Sequence, residues 1–144
     1  EKIILEPGRS ISGNAGVLLT KVEYIKNDFL IVDAAMNDLL RPSLYKAKHD
    51  VWNVSQTQNE EKDWTIVGPV CESSDVIIKD HKIHASENDF LAIKTAGAYG
   101  FVMSSNYNSR MRCAEVLVNG NKHYEIRKRE SFGDLIKNEI INND

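Results

Sequence analysis

The chain has 144 residues, 42% of them hydrophobic, which is enough for one compact domain with a core but not for two. Its 18 Lys and Arg residues against 21 Asp and Glu residues give a net charge of -3, which provides no general attraction for nucleic acid or for anionic lipid. The apolar runs fall far short of the roughly 20 residues that a membrane helix requires, so neither a nucleic-acid partner nor a membrane partner is expected.

The cysteine content and the start of the chain add two expectations. Two cysteines, Cys71 and Cys113, are too few for a disulfide scaffold and predict free thiols in a reducing, cytoplasmic compartment. The start has no signal-peptide pattern and no initiator Met, so we expect the chain to follow further sequence in a longer protein. Residues 2–5 are predicted to form a short buried strand that runs directly into residues 6–9.

A hairpin and a helical turn are predicted next. Residues 17–25 and 29–32 are largely β-branched or aromatic, and the turn-forming pair at 27–28 separates them. Residues 36–45 contain Pro42 and other residues that exclude a long helix. We therefore predict one helical turn followed by a loop in this stretch.

Four further short strands are predicted along the middle of the chain. They cover residues 51–54, 64–70, 76–78 and 90–93. Glycine and proline at 68–69 should bend the end of the second of these strands, so that residues 71–75 project as a polar loop. The polar stretch 81–89 is predicted to be turn-like.

The last third of the chain is predicted to contain a hairpin and a helix. Asn119-Gly120 favours a type I′ turn between strands at 112–118 and 123–127. Ser131 can cap a helix whose apolar residues extend to Ile140 at helical spacing. Short strands joined by turns, with helix only at the end, predict a mainly β fold, either a barrel or a sandwich.

Polar and charged side chains interrupt the apolar pattern at residues 6–9, 41–45, 71–75 and 97–100. In the first of these segments glycine precedes arginine directly after a strand. This pair suits an anion, because glycine lets backbone N–H groups approach a phosphate and the guanidinium adds a fixed charge. Alone the signal is weak, and an ordinary turn with a solvated arginine is the alternative.

Together these segments resemble the diaminopimelate decarboxylases, which are fold-type III pyridoxal-phosphate-dependent decarboxylases, as are the ornithine and arginine decarboxylases. The resemblance covers nearly the whole chain in five ordered blocks. These blocks are Glu6-Pro7-Gly8-Arg9-Ser10-Ile11, Arg41-Pro42-Ser43-Leu44-Tyr45, Gly68-Pro69-Val70-Cys71-Glu72-Ser73-Ser74-Asp75, Gly97-Ala98-Tyr99-Gly100, and Met103-Ser104-Ser105-Asn106-Tyr107-Asn108 with Arg110 and Arg112.

The resemblance implies a domain organisation. Members of the family have an N-terminal (β/α)8 barrel that carries the Schiff-base lysine, followed by a C-terminal β-barrel domain with short helices. Residues 1–12 would be the end of the first barrel, with its last strand and its phosphate-contacting loop. Residues 13–144 would be the C-terminal β-barrel domain with its terminal helix. No lysine of this chain occupies a motif that matches the Schiff-base lysine, so this chain alone would lack it.

The resemblance also implies a cofactor, a substrate and the residues that hold them. The residues that would bind the cofactor, pyridoxal 5'-phosphate, are Glu6, Pro7, Gly8, Arg9 and Tyr99. The residues that would bind the substrate, meso-diaminopimelate, are Arg9, Arg41, Tyr45, Glu72 and Tyr99. The reaction would be decarboxylation to L-lysine and CO2, the last step of lysine biosynthesis. Because the family builds its sites at a homodimer interface, the loop with Cys71 and Glu72 would reach the partner's cofactor.

The charges of Arg41 and Glu72 agree with this substrate. The far end of diaminopimelate carries a carboxylate and an ammonium, which one cation and one anion would match. Each charge-assisted hydrogen bond would contribute roughly 1.5 to 3 kcal/mol, enough to exclude a substrate that lacks the matching group. The alternative is a surface ion pair that contributes about 1 kcal/mol or less.

Cys71 is the candidate catalytic residue. After decarboxylation an acid must protonate the former Cα, and a thiol on an exposed loop or at an interface can transfer a proton. The alternative, a small buried hydrophobe, is typical of free cysteines. The polar residues 72–75 that follow are poor core material and favour the exposed loop.

Two rival functions stay open at this point. One is a decarboxylase of ornithine, arginine or carboxynorspermidine, whose distal cation would be repelled by Arg41. The other is a non-catalytic binding domain of the same fold, against which the joint presence of Arg9, Cys71, Glu72 and Tyr99 speaks. No metal site is expected, since His81 and His84 lack a third ligand at a suitable spacing.

Overall fold

The computed structural model describes residues 1–140 of the chain. These residues form two compact units, of which the first runs from Glu1 to Ser104 and the second begins at Ser105. None of the helices in the described part of the chain is long and apolar enough to cross a membrane.

The first unit is built on a six-stranded sheet with the strand order β3-β6-β1-β2-β4-β5. Its strands are β1 (Leu18–Lys26), β2 (Phe29–Val32), β3 (Val51–Asn53), β4 (Lys62–Val67), β5 (Val76–Ile83) and β6 (Phe90–Ile93). All neighbours pair antiparallel except β2 and β4, which pair in parallel. The predicted hairpin at 17–32 is confirmed as β1 and β2, and Asn27 in its turn has a φ of 54°.

The sheet curls so far that its two edge strands, β3 and β5, come into contact. There Nε2 of His81 bonds to the carbonyl oxygen of Val51 at 2.9 Å. Since a carbonyl oxygen can only accept, the imidazole donates. A side chain thus joins the two edges and leaves a nearly closed barrel. The predicted mainly β domain with short helices is confirmed, with the barrel favoured over the sandwich.

The interior of this barrel is apolar. Its largest fully buried hydrophobic side chains are Leu30, Leu39, Ile66, Leu91 and Ile93. They belong to β2, β4 and β6 and to the segment after β2. Because these strands contribute to the core, their sequences are rich in leucine and β-branched residues. Burial of each such side chain stabilises the fold by roughly 1.5 to 3 kcal/mol.

The sequence-based prediction for residues 36–45 was partly wrong. We predicted one helical turn followed by a loop, because Pro42 interrupts a long helix. A hydrogen-bonded turn at residues 36–38 does come first, with the N of Leu39 bonded to Ala35 O, but the predicted loop is replaced by a short helix, α2 (Arg41–Tyr45). Proline lies in the first turn of α2. Proline is tolerated there because the first N–H groups of a helix have no intrahelical acceptor. A further helical turn, α1 (Arg9–Ser12), and a 3-10 turn (Gly13–Ala15) were not predicted. Residues 2–5, predicted as a short buried strand, form no strand in this structure and are exposed.

Strand β5 is longer than predicted. We assigned residues 76–78 to the strand and 81–89 to a turn, whereas β5 continues to Ile83. Its second half pairs with the start of β4, for example Lys82 with Asp63. Residues 79–82 are exposed or only half-buried and therefore lack the apolar signal on which the assignment depended.

The second unit contains a hairpin and a short helix. Strands β7 (Glu115–Asn119) and β8 (Lys122–Arg127) pair antiparallel, so the predicted hairpin is confirmed. The predicted type I′ turn is wrong, because only Gly120 has a positive φ, of 59°, and Asn119 has none. Glycine at the first central position with one positive φ fits a type II′ turn instead.

Glu130 joins three parts of the second unit. Its carboxylate accepts hydrogen bonds from Nδ2 of Asn106 at 2.6 Å, and from the backbone N of Arg112 at 2.8 Å. Nη1 of Arg112 lies 3.2 Å from the same carboxylate. These donors hold the pKa of Glu130 below its usual value, the backbone N–H of Arg112 contributing most. Asn106 and Arg112, which the family resemblance singled out, thus have a structural role here.

The predicted C-terminal helix is confirmed but is short. Helix α3 (Phe132–Ile136) begins after Ser131, which forms a reciprocal capping box with Asp134. Ile140, which we placed on the same helix, lies beyond its end and is exposed. Residues 141–144, which the predicted C-terminal domain included, lie outside the described part of the chain.

Two backbone segments of the first unit pass unusually close to each other at Gly16 and Gly97. A Cβ at Gly97 would lie 2.2 Å from the carbonyl oxygen of Ser12 and 2.7 Å from the N of Gly16. The N of Gly97 donates to Gly13 O at 3.0 Å, and the N of Ala96 donates to Gly16 O at 2.9 Å. Only glycine permits this approach.

We expect Gly97→Ala to destabilise the protein by more than about 1 kcal/mol, because the new methyl group must push apart backbone atoms that have no room to move. Gly133→Ala is the control, since a Cβ there would meet only Ser131 Oγ at 3.6 Å. Melting temperatures measured by circular dichroism should fall for the first variant and stay equal or rise slightly for the second. Equal melting temperatures for both variants would contradict the tight approach.

Candidate functional site

The predicted cofactor-binding segments of the first unit meet at Gly8 and Tyr99. A Cβ placed on Gly8 would lie 3.5 Å from the phenol oxygen of Tyr99. The tyrosine hydroxyl therefore lies directly over the backbone that precedes Arg9. Residues 6–9 and 97–100, which are far apart in the sequence, thus belong to one site.

The backbone around Tyr99 is held in an uncommon conformation. Tyr99 has a φ of 58°, in the left-handed region that side chains other than glycine rarely adopt. The turn closes tightly at its end, where a Cβ on Gly100 would lie 2.3 Å from the carbonyl oxygen of Ala96. Ala98 is buried between them, while the tyrosine side chain is 46% exposed. Residues held in such a conformation cluster at functional sites, where their surroundings stabilise the strain.

Arg9 is packed along the same surface. A Cβ on Gly13 would lie 3.1 Å from Cγ of Arg9 and 3.2 Å from Cγ2 of Thr95, so the aliphatic part of the arginine lies beside that glycine. Nε of Arg9 is buried, and no residue in the described part of the chain accepts a hydrogen bond from it. A buried donor without an acceptor is costly and calls for a ligand or a water.

Arg41 is held by a histidine. Nη1 of Arg41 lies 3.1 Å from Nε2 of His49, and Nδ1 of His49 lies 2.8 Å from the carbonyl oxygen of Lys94. An arginine can only donate and a carbonyl can only accept, so the imidazole is neutral, with its proton on Nδ1. Nε of Arg41 is also buried without an acceptor among the described residues.

The charge state of His49 follows from its surroundings. The side chain is almost completely buried. Burial lowers the pKa of His49, the bond to Lys94 O opposes this shift, and the guanidinium groups of Arg41 and then Arg9 lower the pKa further. His49 is therefore neutral at neutral pH, and both predicted substrate-binding arginines lie near enough to affect it.

Helix α2 places the predicted residues Arg41 and Tyr45 on one face. They stand four positions apart, which is one turn of helix. Tyr45 is 61% exposed, whereas Arg41 is half-buried. The helix ends at Lys46, which adopts the left-handed conformation with a φ of 53°.

The residues of this surface suit an anionic ligand. Arg9 and Arg41 each have a buried Nε without an acceptor among the described residues, and Tyr99 adds an exposed hydroxyl above Gly8. A guanidinium binds a carboxylate or a phosphate through two parallel hydrogen bonds, and glycine allows close approach. The residues therefore fit the phosphate of pyridoxal 5'-phosphate together with a carboxylate.

The predicted catalytic residue Cys71 lies with Glu72 on an exposed loop between β4 and β5. The loop is tied down by Asp75, whose buried carboxylate accepts from the N of Met36 at 2.7 Å and from the N of Val70 at 2.9 Å. The backbone of Asp75 also bonds to both Gly68 and Glu72. One aspartate thus fixes both ends of the loop that carries the thiol.

The Cys71 loop is also linked to α2. Oγ of Ser43 donates to the carbonyl oxygen of Ser74 at 2.7 Å. An open cleft of about 1000 Å³ runs beside this link, and its lining includes Ser43, Ser74 and His49. The predicted residues Arg9, Arg41 and Tyr99 do not line it.

The structure thus brings some predicted site residues together and leaves others apart. Gly8, Arg9 and Tyr99 share one surface, and His49 connects this surface to Arg41. The contacts described for this surface and for Arg41 do not include Cys71 or Glu72. Both are exposed, as are Glu6 and Pro7. Their predicted contacts with cofactor and substrate stay predictions.

Sequence reasoning missed two residues that organise the site. From the sequence we assigned no functional role to His49 and placed Asp75 only in the polar loop 71–75. The first binds Arg41 and the second holds the Cys71 loop. A signal was available for Asp75, since an aspartate at the end of a polar loop suggests a carboxylate that satisfies the N–H groups of that loop. No comparable local signal marks His49, because its partners lie elsewhere in the sequence.

Among the described residues, no group of three or more His, Cys, Asp or Glu side chains is arranged to hold a metal ion. Comparison with known proteins indicates a family whose members depend on an organic cofactor. The family model for the C-terminal sheet domain of the pyridoxal-dependent decarboxylases matches residues 11–97, which is more than half of the chain. The chain belongs to this family.

Relatives within the pyridoxal-dependent decarboxylases are similar over nearly the whole chain. Diaminopimelate decarboxylase of Pseudomonas fluorescens is 53% identical in an alignment of 143 positions that covers 96% of this chain and 34% of that protein. The corresponding protein of Aquifex aeolicus is 48% identical over 94% of this chain and 34% of its own length. The chain spans about a third of the length of the curated relatives it matches.

Solved structures agree with this family. Diaminopimelate decarboxylase from M. jannaschii has a TM-score of 0.91 at 41% identity, covering 96% of this chain and 33% of that chain. The enzyme from Helicobacter pylori complexed with L-lysine has a TM-score of 0.85 at 48% identity, covering 92% and 34%. A lysine/ornithine decarboxylase from Vibrio vulnificus has a TM-score of 0.65 at 23% identity, which indicates a shared fold only.

We expect Asp75→Asn to destabilise the Cys71 loop. The amide keeps one oxygen but presents an NH2 group to one of the two backbone N–H donors, which costs roughly 1 to 3 kcal/mol. Hydrogen exchange of residues 70–75 should become faster, and the melting temperature should fall.

Asp80→Asn is the matched control for this experiment. Asp80 is exposed on strand β5, so the free energy of unfolding of Asp80→Asn should differ from that of the wild type by less than about 0.5 kcal/mol. Unchanged exchange of residues 70–75 in Asp75→Asn would show that the carboxylate does not hold the loop.

Proposed function

We propose that the protein to which this chain belongs is a diaminopimelate decarboxylase, which converts meso-2,6-diaminopimelate to L-lysine and CO2 in the last step of lysine biosynthesis. Identity near 50% to diaminopimelate decarboxylases over nearly the whole chain supports this proposal. The observation that carries it is the geometry around the two arginines: Tyr99 lies over Gly8, directly before Arg9, and His49 holds Arg41 and is affected by the charge of Arg9. The substrate has two carboxylates, and the cofactor has a phosphate.

Residues 1–12 would close an upstream barrel that holds most of the cofactor, and the rest of the chain would form the C-terminal domain. In this arrangement Gly8, Arg9 and Tyr99 would hold the cofactor phosphate, and Glu6 and Pro7 would shape the same turn. The Tyr99 hydroxyl above Gly8 and the charge of Arg9 suit that phosphate. When bound, pyridoxal 5'-phosphate withdraws electrons from the substrate Cα and so allows the carboxylate to leave. The Schiff-base lysine would come from the upstream barrel.

Each charged group at the distal end of the substrate would be bound by side chains of the opposite charge. Arg41, Arg9 and Tyr45 would bind the distal carboxylate, and Glu72 would bind the distal ammonium. The shared face of Arg41 and Tyr45 supports this role, as does the bond that fixes Arg41 to His49. Ornithine has no distal carboxylate, so the same pocket would leave Arg41 unpaired with that substrate and disfavour it.

Cys71 would deliver the proton to the carbon that has lost its carboxylate. Its thiol is exposed and lies on a loop held at both ends by Asp75. In a homodimer this loop would cross to the partner's site, so that each site contains the Cys71 and Glu72 of the other subunit. The proposed protein is cytoplasmic, and the lack of a disulfide between Cys71 and Cys113 suits a reducing compartment.

Arg41→Ala in the full-length protein should raise KM for meso-diaminopimelate by roughly 10- to 150-fold, which corresponds to the loss of about 1.5 to 3 kcal/mol of charge-assisted hydrogen bonding. The cofactor content should not change, because Arg41 acts at the distal end. Steady-state kinetics and cofactor absorbance measure the two quantities.

Lys48→Ala removes a nearby exposed cation and is the control for charge alone, so its KM should equal that of the wild type. If Arg41→Ala also keeps the wild-type KM, Arg41 is not in the substrate pocket. Activity on ornithine in preference to meso-diaminopimelate would favour the rival substrate class.

Cys71→Ala should lower kcat while cofactor binding persists, since the thiol acts after the substrate has bound. Dimers that combine one Cys71→Ala subunit with one Arg9→Ala subunit test the shared site. Each such mixed dimer would contain one site in which both Arg9 and Cys71 are intact. About half of randomly formed dimers are mixed, so about a quarter of the wild-type activity should return. Activity no higher than that of the two parent variants would contradict the crossing of the loop.

A further inference from the structure

We propose that His49 is a positioning residue for substrate recognition, which holds the Arg41 guanidinium in the orientation that binds the distal carboxylate. This inference rests on the proposed function. The histidine is not one of the residues that the family resemblance places at the ligand. It acts through Arg41, and it does so with one specific tautomer.

The first step of the argument is a continuous chain of hydrogen bonds. The backbone of Lys94, just after strand β6, accepts from Nδ1 of His49, and Nε2 of His49 accepts from Nη1 of Arg41. The barrel sheet thus fixes the imidazole, and the imidazole fixes the guanidinium. A five-residue helix such as α2 would otherwise leave a long arginine side chain with considerable rotamer freedom.

The second step concerns which part of the guanidinium is left for a ligand. The bond to His49 uses Nη1, and Nε is buried without an acceptor among the described residues. The side edge formed by Nε and Nη2 is the one that meets a carboxylate through two parallel bonds. A bond at Nη1 therefore orients this edge without occupying it.

The third step concerns charge. Two cationic side chains, those of Arg41 and Arg9, lie close enough to His49 to lower its pKa. A protonated imidazole could not accept from Arg41 and would repel it. Burial and the two guanidinium groups both disfavour that form. Arg41 thus helps to keep His49 neutral and also donates a hydrogen bond to the neutral form.

A purely structural histidine would need only one of its two bonds. The bond to Lys94 O is sufficient to satisfy a buried imidazole N–H, and the second nitrogen could face water or a backbone N–H. Instead the second nitrogen holds the tip of a residue with a predicted substrate role. A preorganised guanidinium loses less side-chain entropy when the carboxylate binds, and the gain appears in KM.

Two substitutions of His49 separate the two bonds. In His49→Asn the amide nitrogen can occupy the place of Nδ1 and keep the bond to Lys94 O, but nothing reaches Arg41. In His49→Gln the amide oxygen can occupy the place of Nε2 and accept from Arg41. Both variants are made in the full-length protein and compared with the wild type.

We expect His49→Asn to raise KM for meso-diaminopimelate by roughly tenfold with little change in kcat, and His49→Gln to restore most of the wild-type KM. In an Arg41→Ala background, His49→Asn should change KM by less than about twofold, since the two residues act as one unit. Equal KM values for the wild type and His49→Asn, or additive effects with Arg41→Ala, would overturn the proposal.

Crystal structures of the variants give a readout that does not need activity. Arg41 should leave its position in His49→Asn and keep it in His49→Gln. An unmoved Arg41 in His49→Asn would overturn the positioning role even if the protein is an active decarboxylase. A wild-type protein inactive on meso-diaminopimelate would instead overturn the proposed function, while the Arg41 position would still test the contact.

Discussion

The close approach of two backbone segments at Gly16 and Gly97 is the constraint on which the candidate site depends. It docks the turn that follows Arg9 against the turn that carries Tyr99. Without it, the arginine and the phenol hydroxyl would belong to separate loops. Two glycines with no side chain thus determine the distance between two side chains that bind the proposed ligand.

Fixed positive charge is the second organising feature of this surface. Arg9 and Arg41 both lower the pKa of the same imidazole, so both add positive charge around it. His49, as a neutral acceptor, satisfies one donor of Arg41 without cancelling any charge. The arrangement therefore keeps its attraction for an anion while tolerating two buried guanidinium nitrogens. Burying donors without acceptors lowers the stability of the fold, and such a loss is typical of a surface that serves ligand binding.

The sequence predicted those parts of the fold that depend on local pattern. The hairpin at β1 and β2 followed from β-branched residues around an Asn-Asp pair, and the capping box at Ser131 followed from residue spacing. The polar half of β5 could not be read locally, because its pairing with β4 overrides its composition. The type of the hairpin turn at Gly120 was also misjudged, since one dipeptide is compatible with several turn types.

The candidate site shows the same division between local and distant information. The resemblance to a known family identified Arg9 and Tyr99, and the structure places Tyr99 over the residue before Arg9. The sequence did not point to His49, because the carbonyl group that it binds belongs to Lys94, 45 residues further along the chain. Asp75 was likewise ambiguous, because one of its two donors is Met36. Pairings of this kind become visible only after the chain has folded.

The parallel pairing of β2 with β4 has a consequence for how this domain folds. Antiparallel neighbours can be joined by a tight turn, but a parallel pair needs a long crossover, which here is residues 33–61. That crossover contains α2 with Arg41 and also His49. Closing a loop of this length has an entropic cost before its contacts form, so the pairing belongs to the slow, non-local part of folding. Arg41 would then reach its final place late, after the hairpin of β1 and β2 is already in position.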